Sequence, residues 1–209
     1  MIALGVIAAW EVAKRFGKVG PELIEKLALG TILSGVLGAR AYHVIDYWDY
    51  YSQNWGKIFE LWNGGLGIWG AIFGGLMYLV YFSRINKVKF YEISDSVVLG
   101  LPLAQAIGRI GNFINGELYG KNGEPLFAWE GGLNVLLFIF LFWINKKSKR
   151  LGVVTGSYLV GYGAIRIFLE NFRSDEIIWR AGGIPVATWF GTVSIICGLM
   201  LLIKTRYGK

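Results

Sequence analysis

The sequence predicts an all-α membrane protein with about seven transmembrane helices, and two observations lead to that prediction. Of the 209 residues, 55% are apolar and only 17% are charged, against roughly 25% charged residues in a typical soluble protein. Apolar runs, most of them near the ~20 residues that a helix needs to cross a bilayer, alternate with polar breaks along the chain. This composition excludes disorder, and the single cysteine, Cys197, excludes an intrachain disulfide framework. We expect residues 1–209 to form one integral membrane domain.

Seven apolar runs define the expected helices. In chain order, they cover about residues 1–16, 23–45, 61–83, 93–112, 127–145, 152–171 and 186–203. The first run gives only ~20 Å of helix at ~1.5 Å per residue, against a hydrocarbon core of ~30 Å. It has neither a basic leading segment nor a small-residue cleavage site, so we interpret it as a first span whose outer end is missing or very short rather than a signal peptide.

The connections between the runs alternate in basic content, and this alternation predicts the topology. Thirteen of the 21 basic residues follow the first, third, fifth and seventh runs: Lys14, Arg15, Lys18, Arg84, Lys87, Lys89, Lys146, Lys147, Lys149, Arg150, Lys204, Arg206 and Lys209. By the positive-inside rule these segments are cytoplasmic, so the N-terminus lies outside and the C-terminus inside. The opposite connections are rich in Tyr and Trp, which is typical of an interfacial belt. Topology and attraction to anionic lipids therefore explain the net charge of +7, and nucleic-acid binding is not indicated.

The third run is unusually rich in glycine. Six glycines occur between Gly64 and Gly75, and two of them, Gly70 and Gly74, have the GxxxG spacing. One interpretation is close helix packing, since small residues let helix backbones approach each other in lipid. The density of glycine also indicates a locally irregular backbone that lines a cavity.

Charged residues inside the apolar runs carry the strongest functional signal, since each costs ~2.5–3.5 kcal/mol to insert at the bilayer centre. Arg40, Arg109 and Arg166 lie on three different predicted helices, roughly 27, 24 and 20 Å from their inner ends at ~1.5 Å per residue. Any one of them could extend its side chain to the outer interface. Arg109 and Arg166, however, have acidic residues nearby that such an arginine would not need.

Carboxylates and amides accompany these arginines. Arg166, Glu170 and Arg173 have the i, i+4, i+7 spacing that would place them on one helix face. Glu117 follows Arg109 by eight residues, after two asparagines. Guanidinium groups at headgroup depth, partly neutralised by carboxylates, indicate a site for the phosphate of an anionic lipid, because the planar guanidinium binds two phosphate oxygens at once.

The segment from Gly108 to Gly120, GRIGNFINGELYG, resembles the defining motif of the prolipoprotein diacylglyceryl transferase family. Similar segments occur in the same order elsewhere: Gly38-Ala39-Arg40 at the end of the second run, the glycine-rich third run, and RIFLENFR from Arg166 to Arg173. The resemblance extends from about residue 5 to the end of the chain. It implies the same seven spans and orientation.

The resemblance also implies an activity. Enzymes of this family transfer the diacylglyceryl unit of phosphatidylglycerol to the thiol of the lipobox cysteine in a prolipoprotein signal peptide, and glycerol phosphate is released. The implied location is the bacterial cytoplasmic (inner) membrane, with the active site facing the outer leaflet. The expected partners are phosphatidylglycerol, the prolipoprotein and membrane lipids, with no nucleic acid, cofactor or metal.

The position of each residue in these motifs indicates its expected role. We expect four catalytic residues: Arg109, Arg166, Glu117 and Glu170. We expect seven residues to bind substrate: Arg40, Asn112, Asn115, Gly120, Arg173, Trp69 and His43. The reaction develops negative charge on the leaving phosphate, which fixed cations stabilise. The attacking thiol, with a pKa near ~8.5, must also lose its proton. Glu117 and Glu170 either accept that proton or hold the arginines in place.

The sequence departs from the family pattern at three places. The family carries a histidine in a His-Gly-Gly segment of the third span, whereas Trp69-Gly70-Ala71 stands here. The segment that opens the fifth span, Phe127-Ala128-Trp129-Glu130, keeps only its aromatic–Glu pair, and the aromatic N-terminal arm has no counterpart. His43, the single histidine, is either a replacement base or an interfacial side chain. Trp69 either lines the lipid pocket or packs between helices, and we expect Cys197 to be a packing residue.

Two further functions are compatible with the residues alone. A lipid-binding relative without catalysis, or with altered specificity, would explain the loss of the family histidine at Trp69. A transporter would use the Arg/Glu pairs along a permeation path, but transporters of this kind usually contain internal repeats, and the sequence shows none.

Overall fold

Seven long helices coincide with the seven apolar runs and confirm the all-α class. The computed structural model describes residues 1–175 and 178–207. Within these residues the helices are α1 (Ile2–Phe16), α2 (Pro21–Asp46), the short α3 (Trp48–Tyr51), α4 (Ile68–Ile85), α5 (Phe90–Ile114), α6 (Leu126–Lys147), α7 (Val153–Glu170) and α8 (Val186–Tyr207). Two 3₁₀ turns, Trp55–Phe59 and Leu61–Asn63, precede α4. Lys209, the last of the predicted cytoplasmic basic residues, lies outside the described residues.

Five of these helices, α2, α4, α5, α6 and α8, are long and apolar enough to cross a membrane. The chain is therefore a multi-pass membrane protein. The two remaining long helices differ from these five for different reasons. Helix α1 has only 15 residues, and the 18 residues of α7 include the charged Arg166 and Glu170, which lower its mean hydropathy.

The chain forms two compact units. One contains residues 20–93, and the other contains Met1–Val19 together with the chain from Ser94 onward. In the unit of residues 20–93, α2 packs against α4 through small residues. A Cβ atom added at Gly70 would collide with the carbonyl oxygen of Gly38, and one added at Gly74 would collide with that of Ser34. The close-packing interpretation of the GxxxG spacing is therefore confirmed.

The predicted start of the third helix is wrong. The apolar run begins at about residue 61, but α4 begins at Ile68, because the preceding glycines adopt a backbone conformation that no helix contains. Gly64 and Gly65 have φ angles of +80° and +70°, in the left-handed region that glycine enters at little cost. The expectation of an irregular backbone is thus confirmed for the first glycines of the run, and close packing explains the later ones.

In the other unit, α7 is surrounded by its neighbours. Eight of its residues are buried. It meets α6 in an apolar core: Leu99, Leu126, Leu137, Leu141, Val154, Tyr158, Ile165 and Leu169. Against α8 it packs through glycines, since a Cβ atom at Gly163 would lie 2.6 Å from the carbonyl oxygen of Gly191. Helix α7 is therefore largely enclosed by α6 and α8, and it carries the polar residues Arg166 and Glu170.

The start of α7 is capped by a carboxylate from another helix. Asp95, near the start of α5, is completely buried. It accepts hydrogen bonds from the amides of Gly152 and Thr155 at 2.8 Å, from the Thr155 hydroxyl at 2.6 Å and from Nζ of Lys18 at 2.8 Å. These bonds satisfy amides at a helix N-terminus that would otherwise lack partners. The sequence analysis did not single out Asp95.

A two-stranded hairpin lies between α7 and α8, which the all-α prediction did not include. Strands β1 (Arg180–Ala181) and β2 (Ile184–Pro185) pair in antiparallel fashion, Arg180 opposite Pro185. Gly182 and Gly183 form the turn with positive φ angles, as tight two-residue hairpins require.

Candidate active site

A buried carboxylate joins the two arginines that the sequence singled out on α5 and α7. Nη2 of Arg109 donates to Oε1 of Glu130 at 2.9 Å, and Nη1 of Arg166 lies 3.9 Å from Oε2 of the same carboxylate. The Glu130 side chain is only 2% exposed, whereas those of Arg109 and Arg166 are 26% and 24% exposed. The carboxylate is thus enclosed, while both arginine side chains remain partly exposed.

The helix ends explain this arrangement. Arg109 lies near the end of α5 and Arg166 near the end of α7, whereas Glu130 lies in the second turn of α6. Because α6 runs in the opposite direction, its N-terminal turns meet the C-terminal turns of the other two helices. The positive end of the α6 dipole also favours a carboxylate at this position.

A second carboxylate lies at the exposed rim of this cluster. Nη1 of Arg109 donates to Oδ1 of Asn112 at 2.6 Å, and Nδ2 of Asn112 donates to Oε2 of Glu117 at 3.1 Å. Asn115 also reaches Glu117, at the long distance of 3.5 Å. Glu117 and Asn115 are exposed. The structure therefore brings Arg109, Asn112, Asn115 and Glu117 into one chain of contacts, and their expected roles in catalysis and substrate binding stay predictions.

The predicted shared face of Arg166, Glu170 and Arg173 is wrong for Arg173, because α7 ends at Glu170. Arg166 and Glu170 are helical neighbours, but Arg166 is directed toward Glu130. Glu170, which is buried, is 3.5 Å from Nη1 of Arg173 in the following turn. Glu170 thus fixes the chain just after α7.

Gly120 lets two loops approach each other. Its amide donates to the carbonyl of Glu124 at 2.8 Å, and the amide of Lys121 donates to the carbonyl of Phe172 at 2.8 Å. A Cβ atom at Gly120 would lie 2.8 Å from that Phe172 oxygen. The contacts of Gly120 therefore join the loop before α6 to the turn after α7, and its expected role in binding substrate stays a prediction.

The remaining expected site residues belong to the unit of residues 20–93, where Arg40 organises a loop. All five N–H groups of its buried guanidinium donate to backbone carbonyls: those of Lys57, Ile58, Glu60, Gly64 and Gly65. The guanidinium also lies over the Tyr51 ring, 5.2 Å from its centroid. These contacts give Arg40 the role of holding the segment before α4 against α2, and its role in binding phosphate stays a prediction.

His43 and Trp69 occupy different surroundings in this unit. His43 lines a cavity of about 270 Å³ beside Arg40 and Tyr50, and its ring centroid lies 4.6 Å from that of Tyr47. Trp69 is half-buried in the first turn of α4. Among the described residues, no group of three or more His, Cys, Asp or Glu side chains has the arrangement of a metal site.

Glu130, although central to the cluster, is not among the residues that the sequence predicts to be functional. The signal was present, since a carboxylate inside the run 127–145 carries the same insertion cost as an arginine. Insertion cost considered for cations alone indicates Arg109 and Arg166, and the motif comparison includes Glu130 only as part of an aromatic–Glu pair. Applied to both signs of charge, it would have indicated Glu130 as the partner of Arg109 and Arg166.

The fold and the site together define a class of protein. The chain is an α-helical multi-pass membrane protein with two partly open guanidinium groups fixed at its helix ends by one buried carboxylate. Such a site suits an anionic group. The prolipoprotein diacylglyceryl transferase family matches residues 1–204, and the chain belongs to this family.

Individual relatives carry the same name, phosphatidylglycerol–prolipoprotein diacylglyceryl transferase. The relative from Listeria welshimeri is 33% identical, and the similarity covers 99% of this chain and 82% of that protein. The relative from Clostridioides difficile is 34% identical over 94% of this chain and 84% of its own length, and that from Finegoldia magna is 34% identical over 99% and 89%. These comparisons do not favour the non-catalytic or transporter alternatives.

Proposed function

We propose that this protein transfers the diacylglyceryl unit of phosphatidylglycerol to the lipobox cysteine thiol of a prolipoprotein. The observation that carries the proposal is the bridge from Arg109 through Glu130 to Arg166. Two guanidinium groups and one carboxylate leave a net charge of +1 in the bridge, which matches the single negative charge of a phosphodiester. Because Glu130 is enclosed and both arginine side chains are partly exposed, we propose that the phosphate approaches the bridge from the arginines' exposed side.

In the proposed reaction, the cysteine thiolate attacks the glyceryl carbon next to the phosphate. A carbon–sulfur bond forms, the carbon–oxygen bond to the phosphate breaks, and the electron pair leaves with the phosphate oxygen as glycerol phosphate. The negative charge on the phosphate group therefore rises during the reaction. Arg109 and Arg166 stabilise that charge in place, without the reorganisation that water would need.

Glu117 is the better candidate for accepting the thiol proton. Glu130 and Glu170 are both buried and both contact arginines, so neither carboxylate is accessible to an incoming thiol. Glu117 is exposed and is held by the amides of Asn112 and Asn115, so it is accessible to an incoming peptide. Glu170 then acts as a positioning residue through Arg173.

The proposed topology has seven spans, with the N-terminus outside the bacterial cytoplasmic (inner) membrane and the C-terminus inside. Basic residues occupy the last turns of α1, α4, α6 and α8, which supports a cytoplasmic location for those ends. The bridge of Arg109, Glu130 and Arg166 lies at the opposite ends of α5, α6 and α7. This placement supports an active site at the outer leaflet, where an exported peptide and the lipid donor meet.

The proposal can be tested with the purified protein in liposomes. Phosphatidylglycerol and a synthetic lipobox peptide serve as substrates, and mass spectrometry detects the thioether product together with released glycerol phosphate. We expect Arg109→Ala to lower the rate by about 10²–10³-fold, the usual loss for one charge-stabilising donor. Arg180→Ala, which removes an exposed arginine paired with Asp175, is the matched control. Wild-type rates in Arg109→Ala would overturn the proposal.

A further inference from the structure

A group of buried polar atoms without a hydrogen-bond partner lies beside the Arg109–Glu130 contact. Among the described residues, four such atoms belong to this part of α5 and α6: Nε of Arg109, Oε1 of Gln105, and both Oδ1 and Nδ2 of Asn134. Asn134 is completely buried. Native proteins leave few buried polar groups unsatisfied, because each loses its hydrogen bonds to water. Four on residues in adjoining turns around the Arg109–Glu130 contact therefore point to a ligand that supplies the missing partners.

Helix periodicity places Gln105 and Asn134 at the same depth along their two helices, one turn from the Arg109–Glu130 contact. Gln105 precedes Arg109 by four residues on α5, and Asn134 follows Glu130 by four residues on α6, so each lies one turn from that contact on the same helix face. Since Arg109 and Glu130 touch, the two faces oppose each other. Nε2 of Gln105 donates to the Tyr158 hydroxyl of α7 at 3.0 Å, which fixes the amide and leaves Oε1 as its unpaired atom.

The unpaired atoms form a balanced set. Two are donors, Nε of Arg109 and Nδ2 of Asn134, and two are acceptors, Oε1 of Gln105 and Oδ1 of Asn134. Two hydroxyl groups offer the complementary set, since each hydroxyl donates one hydrogen and accepts another. The site therefore suits a small molecule or headgroup with two hydroxyls.

We propose that Asn134 and Gln105, with Nε of Arg109, bind the two free hydroxyls of the glycerol headgroup of phosphatidylglycerol. This inference rests on the proposed function. A phosphodiester held by Arg109 and Arg166 carries two ester arms, and the polar atoms of the diacylglyceryl arm are ester oxygens, which accept hydrogen bonds but cannot donate them. Only the glycerol arm has hydroxyls that can donate to Oε1 of Gln105 and Oδ1 of Asn134. Asn134 and Gln105 thereby determine which anionic phospholipid serves as the donor.

The test compares two donor lipids with identical acyl chains. Phosphatidylpropanol has the charge and three-carbon headgroup of phosphatidylglycerol but no free hydroxyl. We expect the wild-type kcat/KM to be lower with phosphatidylpropanol by about 10-fold or more, because the analogue leaves buried polar groups unpaired. We expect Asn134→Leu to lower kcat/KM for phosphatidylglycerol much more than for phosphatidylpropanol, so that the ratio of the two values falls toward one. Thermal unfolding of the same preparation shows whether the variant is folded.

The matched control is Asn145→Leu, the same substitution near the far end of α6, where Nδ2 donates to the carbonyl of Phe16 at 2.8 Å. It should keep the wild-type preference. Gln105→Met is a second variant that removes the acceptor at similar length, and it decides the question if Asn134→Leu does not accumulate. Equal use of both lipids by the wild type, or a wild-type preference in both site variants, would overturn the inference and assign these atoms to water. A wild type that makes the thioether from neither lipid would contradict the proposed function itself.

Discussion

Two buried polar clusters lie at opposite ends of α5 and α7, and they differ in how completely they are satisfied. At one end, Asp95 is fully enclosed and accepts four hydrogen bonds from Lys18, Gly152 and Thr155. At the other end, Arg109 and Arg166 share one carboxylate and remain partly exposed. The first cluster leaves nothing for a ligand to add. The second has a net positive charge and buried polar atoms without hydrogen-bond partners. Burial of charged groups alone therefore does not identify a functional site, whereas buried polar groups that lack partners do.

The largest effect in this comparison is expected on stability. Asp95→Asn replaces one acceptor oxygen by an NH₂ group that cannot accept from the amides at the start of α7, and it leaves the Lys18 ammonium without its counter-charge. Breaking a buried ion pair costs about 3–5 kcal/mol, so we expect a loss of that size in the free energy of unfolding, with near-normal activity in the molecules that remain folded. The measurement is thermal unfolding in detergent, with transfer rates normalised to folded protein.

The exposed Asp49 provides the control for this experiment. Asp49→Asn should leave the unfolding midpoint unchanged. If Asp95→Asn reduced the transfer rate per folded molecule while stability stayed normal, the assignment of the Asp95 cluster to stability alone would be wrong.

The next effect is expected on catalysis. Arg109→Lys keeps the charge but cannot contact Asn112 and Glu130 together through one planar group. We expect the transfer rate to fall by about 10²–10³-fold, the range seen for loss of one preorganised donor, with the unfolding midpoint changed little. Steady-state rates and thermal unfolding on the same preparation check both halves of this prediction. If Arg109→Lys instead caused a large loss of stability and left the transfer rate normal, both clusters would serve stability, and the proposed difference in their roles would be wrong.

A smaller loss is expected at the rim. Glu117→Gln keeps the shape of the side chain and an oxygen for Asn112 but removes the proposed base, and we expect the rate to fall by about 10²-fold, the low end of the range for general-base catalysis. The variant should recover activity as the pH rises toward the thiol pKa of ~8.5, because the thiolate then forms without help. The pH–rate profile measures this. A uniform loss at every pH would instead assign Glu117 to holding Arg109 through Asn112.

Apolar runs predict most of the helices well. The run 127–145 corresponds to Leu126–Lys147, and 152–171 corresponds to Val153–Glu170. The exception is α4, whose start the run places about seven residues too early, since hydropathy does not register the positive φ angles of Gly64 and Gly65. Hydropathy reports burial in lipid, whereas a helix start depends on backbone conformation.

The site was predictable where insertion cost was the deciding quantity. That cost indicated Arg109 and Arg166, and applied to both signs of charge it would also have indicated Glu130. It could not separate these arginines from Arg40, whose donors are satisfied by carbonyls 17–25 residues further along the chain. A sequence shows that a buried guanidinium needs partners, but the fold decides whether its own backbone or a ligand supplies them.

The smallest effect is expected when one of the four hydrogen bonds to Asp95 is removed. Thr155→Val removes one of the four hydrogen bonds to Asp95 and the 2.7 Å contact with the Ser94 hydroxyl, while the backbone amide of residue 155 still donates. Since three donors continue to satisfy the carboxylate, we expect a loss of only about 1 kcal/mol in the free energy of unfolding, typical of one hydrogen bond. Thr155→Ser, which keeps the hydroxyl, should lose less. A loss from Thr155→Val as large as that from Asp95→Asn would mean that the Asp95 cluster depends on every one of its hydrogen bonds. The number of hydrogen bonds to Asp95 would then not distinguish this cluster from the cluster of Arg109, Glu130 and Arg166.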